Sequence, residues 1–334
     1  MWNKGITVVC MLLAGAFVNA ATFTEWSPAV SVESIPGTDP ALNTEFQDGC
    51  PAPSRDGLML FMASNRPGGQ GGLDIWVARR ESADDPWGAP VNPGPPINTI
   101  ADEFCPTPLR NGRGLLFVST KAGGCGGSDI YVAWRDIEFF PRRHLLLGDW
   151  GHLDRGWATP LHLGCRVNSA GDEASPFLVE YDKGQTELYF SSTRAGGFSA
   201  DAPGAVVGDG DIYVSAVRPG GRVRAPVLVE GVNTSWNDLR PHLRRDGLEL
   251  FFDSNRPGTI GGFDIWSAVR EAPSDAWSVP QNAGPNVNST GNETRPFLST
   301  GATTLYFGTT RTTVEGAGDI FLAKRLKESS GQVR

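Results

Sequence analysis

Five carboxylates stand at matching places in this chain: Asp48, Glu103, Glu173, Asp238 and Glu293, each five positions after an asparagine at 43, 98, 168, 233 or 288. Gathered on one face, they offer two kinds of chemistry. A ring of carboxylate oxygens holds a divalent cation such as calcium, and a pair of carboxylates flanking a sugar supplies the acid and base of a glycosidase. The competing explanation is structural, and it is the favoured one. Stacked repeats impose the same residue in every copy, so each acid would cap backbone N–H groups or pair with a downstream cation, Arg66, Lys121, Arg194, Arg256 or Arg311. The same logic makes the later aspartates Asp74, Asp129, Asp211, Asp264 and Asp319 structural.

Chemistry is better sought where the copies differ. Two residues past the acids stand Cys50, Cys105, Ser175, Arg240 and Arg295; four past, Ala52, Thr107, Phe177, His242 and Phe297. Strand alternation would put both sets on the acids' side. Arg240 and Arg295, beside the rings of Phe177 and Phe297, suit a carboxylate or sugar-acid ligand because arginine presents a planar two-pronged donor. The plainer reading is that both arginines neutralise Asp238 and Glu293. His242 is a general-base candidate, with a structural role favoured. A catalytic set, if there is one, comes from Asp48, Glu103, Glu173, Asp238, Glu293 and His242.

These positions need strands to hold them. The acids are spaced 55, 70, 65 and 55 residues apart, a period of about 55 with two insertions. Each period carries a D-G-type turn, an aromatic run such as Glu249-Leu250-Phe251-Phe252, a segment such as Asp74-Ile75-Trp76, and a fourth stretch near Trp87, Trp157 or Trp277. Alternating apolar residues bounded by Gly, Asn, Asp and Ser predict strands, and no helical period is sustained. Four short strands per long repeat predict an all-β fold: a single five-bladed β-propeller of four-stranded antiparallel blades. The fifth unit ends without its fourth strand, and Glu25-Trp26-Ser27-Pro28 is expected to supply it, closing the ring and covering an open sheet edge.

The run from Pro241 to Arg256, with Asp264-Ile265-Trp266 after it, resembles the TolB-type, WD40-like β-propeller repeat of exported bacterial proteins. The resemblance covers nearly the whole mature chain, without the separate N-terminal domain of TolB or a peptidoglycan-binding module. It implies the propeller fold and a bacterial envelope setting.

Residues 1–20 read as a secretory signal, with Lys4 ahead of an apolar run from Ile6 to Val18 too short to span a membrane. The expected organisation is a signal at 1–20, the propeller at 21–326 and a polar tail at 327–334, with a periplasmic or secreted location. Export lets the remaining cysteines pair. The preferred pairing is Cys50 with Cys105 and Cys125 with Cys165, with Cys105 to Cys125 left open. A net charge of −8 argues against nucleic acid. Phosphate-loop, zinc-peptidase, serine-hydrolase and dinucleotide motifs are missing, and no cofactor is expected beyond a possible funnel cation. Two insertions break the symmetry: Ser199 to Asp209, a candidate lid, and the apolar-basic stretch Asp136 to Gly156, a partner surface or a loop folded on its own blade. The functional expectation is an exported, non-catalytic binding or scaffold module that takes a protein partner or an envelope or extracellular glycan at its funnel. The alternative is a carbohydrate-active hydrolase or lyase using the funnel carboxylates.

Overall fold

Aromatic and β-branched residues alternate with small polar ones between glycine-rich turns, and in the computed structural model they form five antiparallel sheets around an axis. The structure describes residues 23–135, 156–181, 184–198, 210–218, 221–312 and 315–328. The inner strands are Asp48–Pro53, Glu103–Pro108, Glu173–Glu180, Asp238–Leu243 and Glu293–Leu298, followed outward by a second and a third strand in each blade. Short outer strands complete blades two to four, and in blade one a single bridge, Val77 to Val91, takes that place. Among the described residues no helix is long and apolar enough to cross a membrane.

The N-[ST]-x-x-x-[DE] motif is the joint between blades. The Asn98 carboxamide accepts the Ile75 N–H at 2.9 Å and donates to the Ile75 carbonyl at 2.8 Å, so it acts as one more rung on the preceding blade's third strand. Asn168, Asn233 and Asn288 repeat this on Ile130, Ile212 and Ile265. Asn43 does the same to Ile320, across 277 residues of sequence, and so ties blade one to blade five.

Apolar packing fills every blade interface. Phe61, Ile75, Leu115 and Phe117 pack between blades one and two. Leu60, Met62, Trp76, Ile320 and Leu322 pack between blades one and five. Closure therefore rests on a core like the others, not on a loose seam. Glycine is required where blades touch most closely: a Cβ on Gly126 would lie 2.0 Å from the Gly171 carbonyl oxygen.

The N-terminal segment completes blade five. Val30 and Ser31 pair with Leu322 and Phe321. Upstream, the Ser27 N–H donates to the Lys324 carbonyl at 2.7 Å and the Thr24 N–H to that of Leu326 at 2.9 Å. The residues of the expected signal, both insertions except Gly156, and 329–334 of the expected tail lie outside the described residues.

Candidate functional site

Each inner strand starts regularly and then breaks. Asp48 pairs with Ser64 and Gly49 with Ala63, but the next registered pair is Ala52 with Phe61, so Cys50 and Pro51 share one opposing residue. The same bulge recurs in the other four inner strands. Its first residue has positive φ in every blade: 51° at Cys50, 48° at Cys105, 48° at Ser175, 56° at Arg240 and 57° at Arg295. Proline follows each time. A side chain in that region next to proline is disfavoured twice over, and glycine would relieve it. None of the five positions uses glycine, which marks the side chains there as worth the strain.

The bulge also moves the acids. An extra residue shifts the strand's facing by one, and side chains before and after it point to opposite faces. Asp48, Glu103, Glu173, Asp238 and Glu293 are consequently buried away from the axis, none more than 1% exposed. The Thr44 N–H and hydroxyl both donate to the Asp48 carboxylate at 2.6 Å, and Arg66 contacts its other oxygen at 2.5 Å. Glu173 pairs with Arg194 and Glu293 with Arg311, at 3.1 and 3.2 Å, and Asp238 with Arg256. Glu103 instead accepts the Ser119 hydroxyl at 2.6 Å, while Lys121 lies 3.7 Å from the centre of the Tyr131 ring. The acid ring is thus a set of joints, and neither a cation nor a sugar is offered these carboxylates. The third-strand aspartates also bind backbone: Asp129 accepts the Cys125 N–H at 2.8 Å and Asp264 the Ile260 N–H at 2.6 Å.

What lines the axis is the variable set. A small cavity of about 30 Å³ is bounded by the five bulge residues, their prolines, Thr107, Phe177, His242 and Phe297. Ala52 is buried in the core between blades one and two. Arg240 does not neutralise Asp238, nor does Arg295 pair with Glu293. Arg240 Nη1 contacts Asp253 at 2.5 Å, and the Arg295 backbone N–H donates to Asp253 at 2.9 Å. Burial pushes the Asp253 carboxyl up, against the pull of the Arg240 guanidinium and the Arg295 N–H. Sequence reasoning missed Asp253, although a signal was there: it is the lone charge at a position held elsewhere by Ala63, Val118, Ser191 and Gly308.

Cys50 and Cys105 are unbridged, with their sulfurs 3.1 Å apart, whereas Cys125 is bonded to Cys165. The expected Cys50–Cys105 disulfide is therefore a pair of buried thiols in this structure. Cys125 Sγ, an Asp129 oxygen and a His162 nitrogen lie within 4.8 Å of one another, but a sulfur already bonded to Cys165 is no thiolate ligand.

His242 is held between Phe177 and Phe297, with ring centres 4.1 Å away on each side. Burial, partly opposed by a hydrogen bond with the Leu298 backbone, pulls its pKa down to about 3. A group so depressed and so enclosed is no general base near neutrality. Because the unfolded histidine titrates near 6.5, the folded state is favoured fully above that pH and loses ground as pH falls toward 3. Wild type should lose about 2 kcal/mol more stability than His242→Leu between pH 6.5 and 5, measured by urea unfolding; equal slopes would mean that the histidine is solvated.

Phe177, His242 and Phe297 also form the floor of a second cavity of about 100 Å³ at the opposite mouth. Its rim comes from the turns between first and second strands and carries Arg55, Arg110, Arg244 and Arg245, with Glu180 the sole carboxylate among the described lining residues. Arg244 is committed to Asp246 and Glu249 at 2.9 and 3.1 Å. Arg110 approaches Glu180 only to 4.0 Å. In a chain of net charge −8, this rim is a local reversal of sign. Sequence reasoning looked at the acid-side face and passed over these turn arginines.

No protein-family model and no curated protein matches the sequence. Solved structures do match in fold. A thermostable family-43 glycoside hydrolase superposes with a TM-score of 0.56 at 12% identity, covering 88% of this chain and 94% of that one. An endo-arabinase from Bacteroides thetaiotaomicron gives 0.54 at 14% identity, with coverage of 88% and 98%. An alpha-L-arabinofuranosidase from Lactobacillus brevis gives 0.53 at 10% identity, with coverage of 90% and 95%. At such identity the likeness is one of fold. These matches correct the resemblance to TolB-type, WD40-like repeats, and with it the expected non-catalytic binding or scaffold role. The residues that carried the resemblance are those that pack blades and cap turns, and they say little about ancestry or chemistry.

Proposed function

We propose that this protein is a carbohydrate-active enzyme that cleaves anionic oligosaccharides at the arginine-bordered mouth of its central channel. The observation that carries the reading is the rim itself: Arg55, Arg110 and Arg245 are exposed around a cavity of about 100 Å³ floored by aromatic rings. Guanidinium groups recognise sugar carboxylates through paired N–H donors, and aromatic faces pack against sugar rings. Support for cleavage comes from the glycoside hydrolase, alpha-L-arabinofuranosidase and endo-arabinase that share the fold, an argument by analogy.

Among the described residues Glu180 is the carboxylate in reach for proton transfer, since the five inner-strand acids are enclosed. Hydrolysis ordinarily uses two carboxylates. One carboxylate among the arginines of the described lining residues favours elimination from a uronic acid. A guanidinium neutralises the sugar carboxylate, and Glu180 takes the proton from the carbon that bears it. Those electrons form a double bond to the next carbon, and the glycosidic oxygen on that carbon leaves and takes up a proton from water. An exported location, periplasmic or secreted, belongs to the same proposal.

The test is digestion of neutral and uronic-acid-containing oligosaccharides with native mass spectrometry of the products. Shortened acidic products are expected, with an unsaturated end if the cleavage is eliminative and an added water if hydrolytic. Replacing Arg55 and Arg110 by alanine should lower kcat/KM at least about tenfold, about 1.4 kcal/mol, and Glu180→Gln should abolish turnover with the fold intact. Acidic substrates left whole by wild type, or neutral chains cut equally well by wild type and the arginine variant, would overturn the assignment.

A further inference from the structure

The narrower cavity contains reactive groups that glycan cleavage at the other mouth does not use. Cys50 and Cys105 occupy bulges on adjacent inner strands and meet at the axis with their Sγ atoms 3.1 Å apart, about 1 Å beyond disulfide bonding distance. The Ser175 hydroxyl donates to Cys105 Sγ at 3.1 Å. Arg240 and Arg295 line the same space, and Arg295 Nε is buried without a hydrogen-bond partner. The cavity, about 30 Å³, has room on the scale of a water molecule or two.

We propose that Cys50 and Cys105 are a peroxide-reactive thiol pair, with Cys105 attacking hydrogen peroxide and Cys50 resolving the product as a disulfide. In the first step Cys105 Sγ bonds to one peroxide oxygen, the O–O bond breaks, and the leaving hydroxide is protonated to water. In the second, Cys50 gives up its proton and its Sγ attacks Cys105 Sγ. The S–S bond forms, the S–O bond breaks, and the departing hydroxide takes the proton as a second water. Two thiols lose two electrons in all, and one peroxide becomes two waters.

The surroundings fit each step. Burial raises the Cys105 thiol, but the hydrogen bond from Cys50, the Arg295 charge, the Ser175 hydroxyl and the Arg240 charge together hold it well below the ordinary thiol value. The thiolate is the nucleophile in such attacks. Arg295 Nε is an unused donor for the oxygen that leaves. Cavity size selects the oxidant: a peroxide is little larger than water, whereas a glutathione or aromatic disulfide does not fit.

The test begins with phosphine-reduced full-length protein, stoichiometric hydrogen peroxide, and peptide mapping that reads the Cys50–Cys105 link separately from Cys125–Cys165. The folded protein should form that link at least about tenfold faster than the same chain in urea, because folding lowers the Cys105 thiol pKa and sets the two sulfurs 3.1 Å apart. An aromatic disulfide should leave both thiols untouched. Cys50→Ser should stop at a sulfenic acid on Cys105 that a dimedone probe captures. Equal rates in folded and unfolded protein, or attack by the aromatic disulfide as fast as by peroxide, would overturn the proposal; both arms use wild type and need no variant to fold.

Discussion

Asp238→Ala is expected to cost about 3–5 kcal/mol of stability, because it strands the Arg256 guanidinium in the protein interior. Asp238 is fully buried, accepts the Thr234 N–H and hydroxyl at 2.5 and 2.8 Å, and pairs with Arg256. Removing it frees three donors at once, and an unpaired buried charge is the most costly of them. The measurement is urea unfolding of wild type, Asp238→Ala, Arg256→Met and the double variant. Replacing both partners should recover much of the loss, since exchanging a buried pair for apolar volume is often near neutral. An Asp238→Ala protein as stable as wild type but unable to cleave any substrate would return this acid to the catalytic candidates and undo its assignment as a joint.

Arg325→Ala should be comparably damaging, about 3–5 kcal/mol, for a reason specific to ring closure. Arg325 makes a two-pronged contact with Glu249 of blade four, both distances 2.7 Å. Its guanidinium also lies 3.9 Å from the centre of the Phe23 ring and 4.5 Å from that of Trp26. One side chain thus joins the N-terminal segment, the end of blade five and the neighbouring blade. Its loss leaves Glu249 with Arg244 alone and removes the face on which Phe23 and Trp26 rest. Limited proteolysis should then cut the segment 23–31 well before the rest of the ring unfolds. Unchanged cleavage and unchanged stability would mean that strand pairing at Val30 and Ser31 closes the ring without help.

Burial of the five inner-strand acids has a consequence for reaction class. The proposed cleavage does not use the five inner-strand acids, which are 0–1% exposed. Their hydroxyl, backbone and guanidinium partners consume the lone pairs a substrate would need. Glu180, the carboxylate of the proposed reaction, lies at the other mouth, where the floor is aromatic and the rim cationic.

The blades are legible in the amino-acid order. A period of about 55 residues, the alternation within each unit and the missing fourth strand of the last unit are local or periodic features, and a repeat protein is built from contacts between neighbouring repeats. The structural role of the acids was legible for the same reason: each carboxylate answers a serine or threonine four residues earlier. Tertiary structure alone decided what faces the axis. Alternation fails at the bulge, because one left-handed residue reverses the facing of all that follows, and proline-linked positive φ was not anticipated from Cys50-Pro51 or Arg240-Pro241. The partner of Arg240 is on the adjacent strand rather than its own. Cys50 and Cys105 approach each other, and turn arginines from three blades border one mouth. Those arrangements depend on how five sheets converge, which brings together groups from distant parts of the chain that no periodicity links.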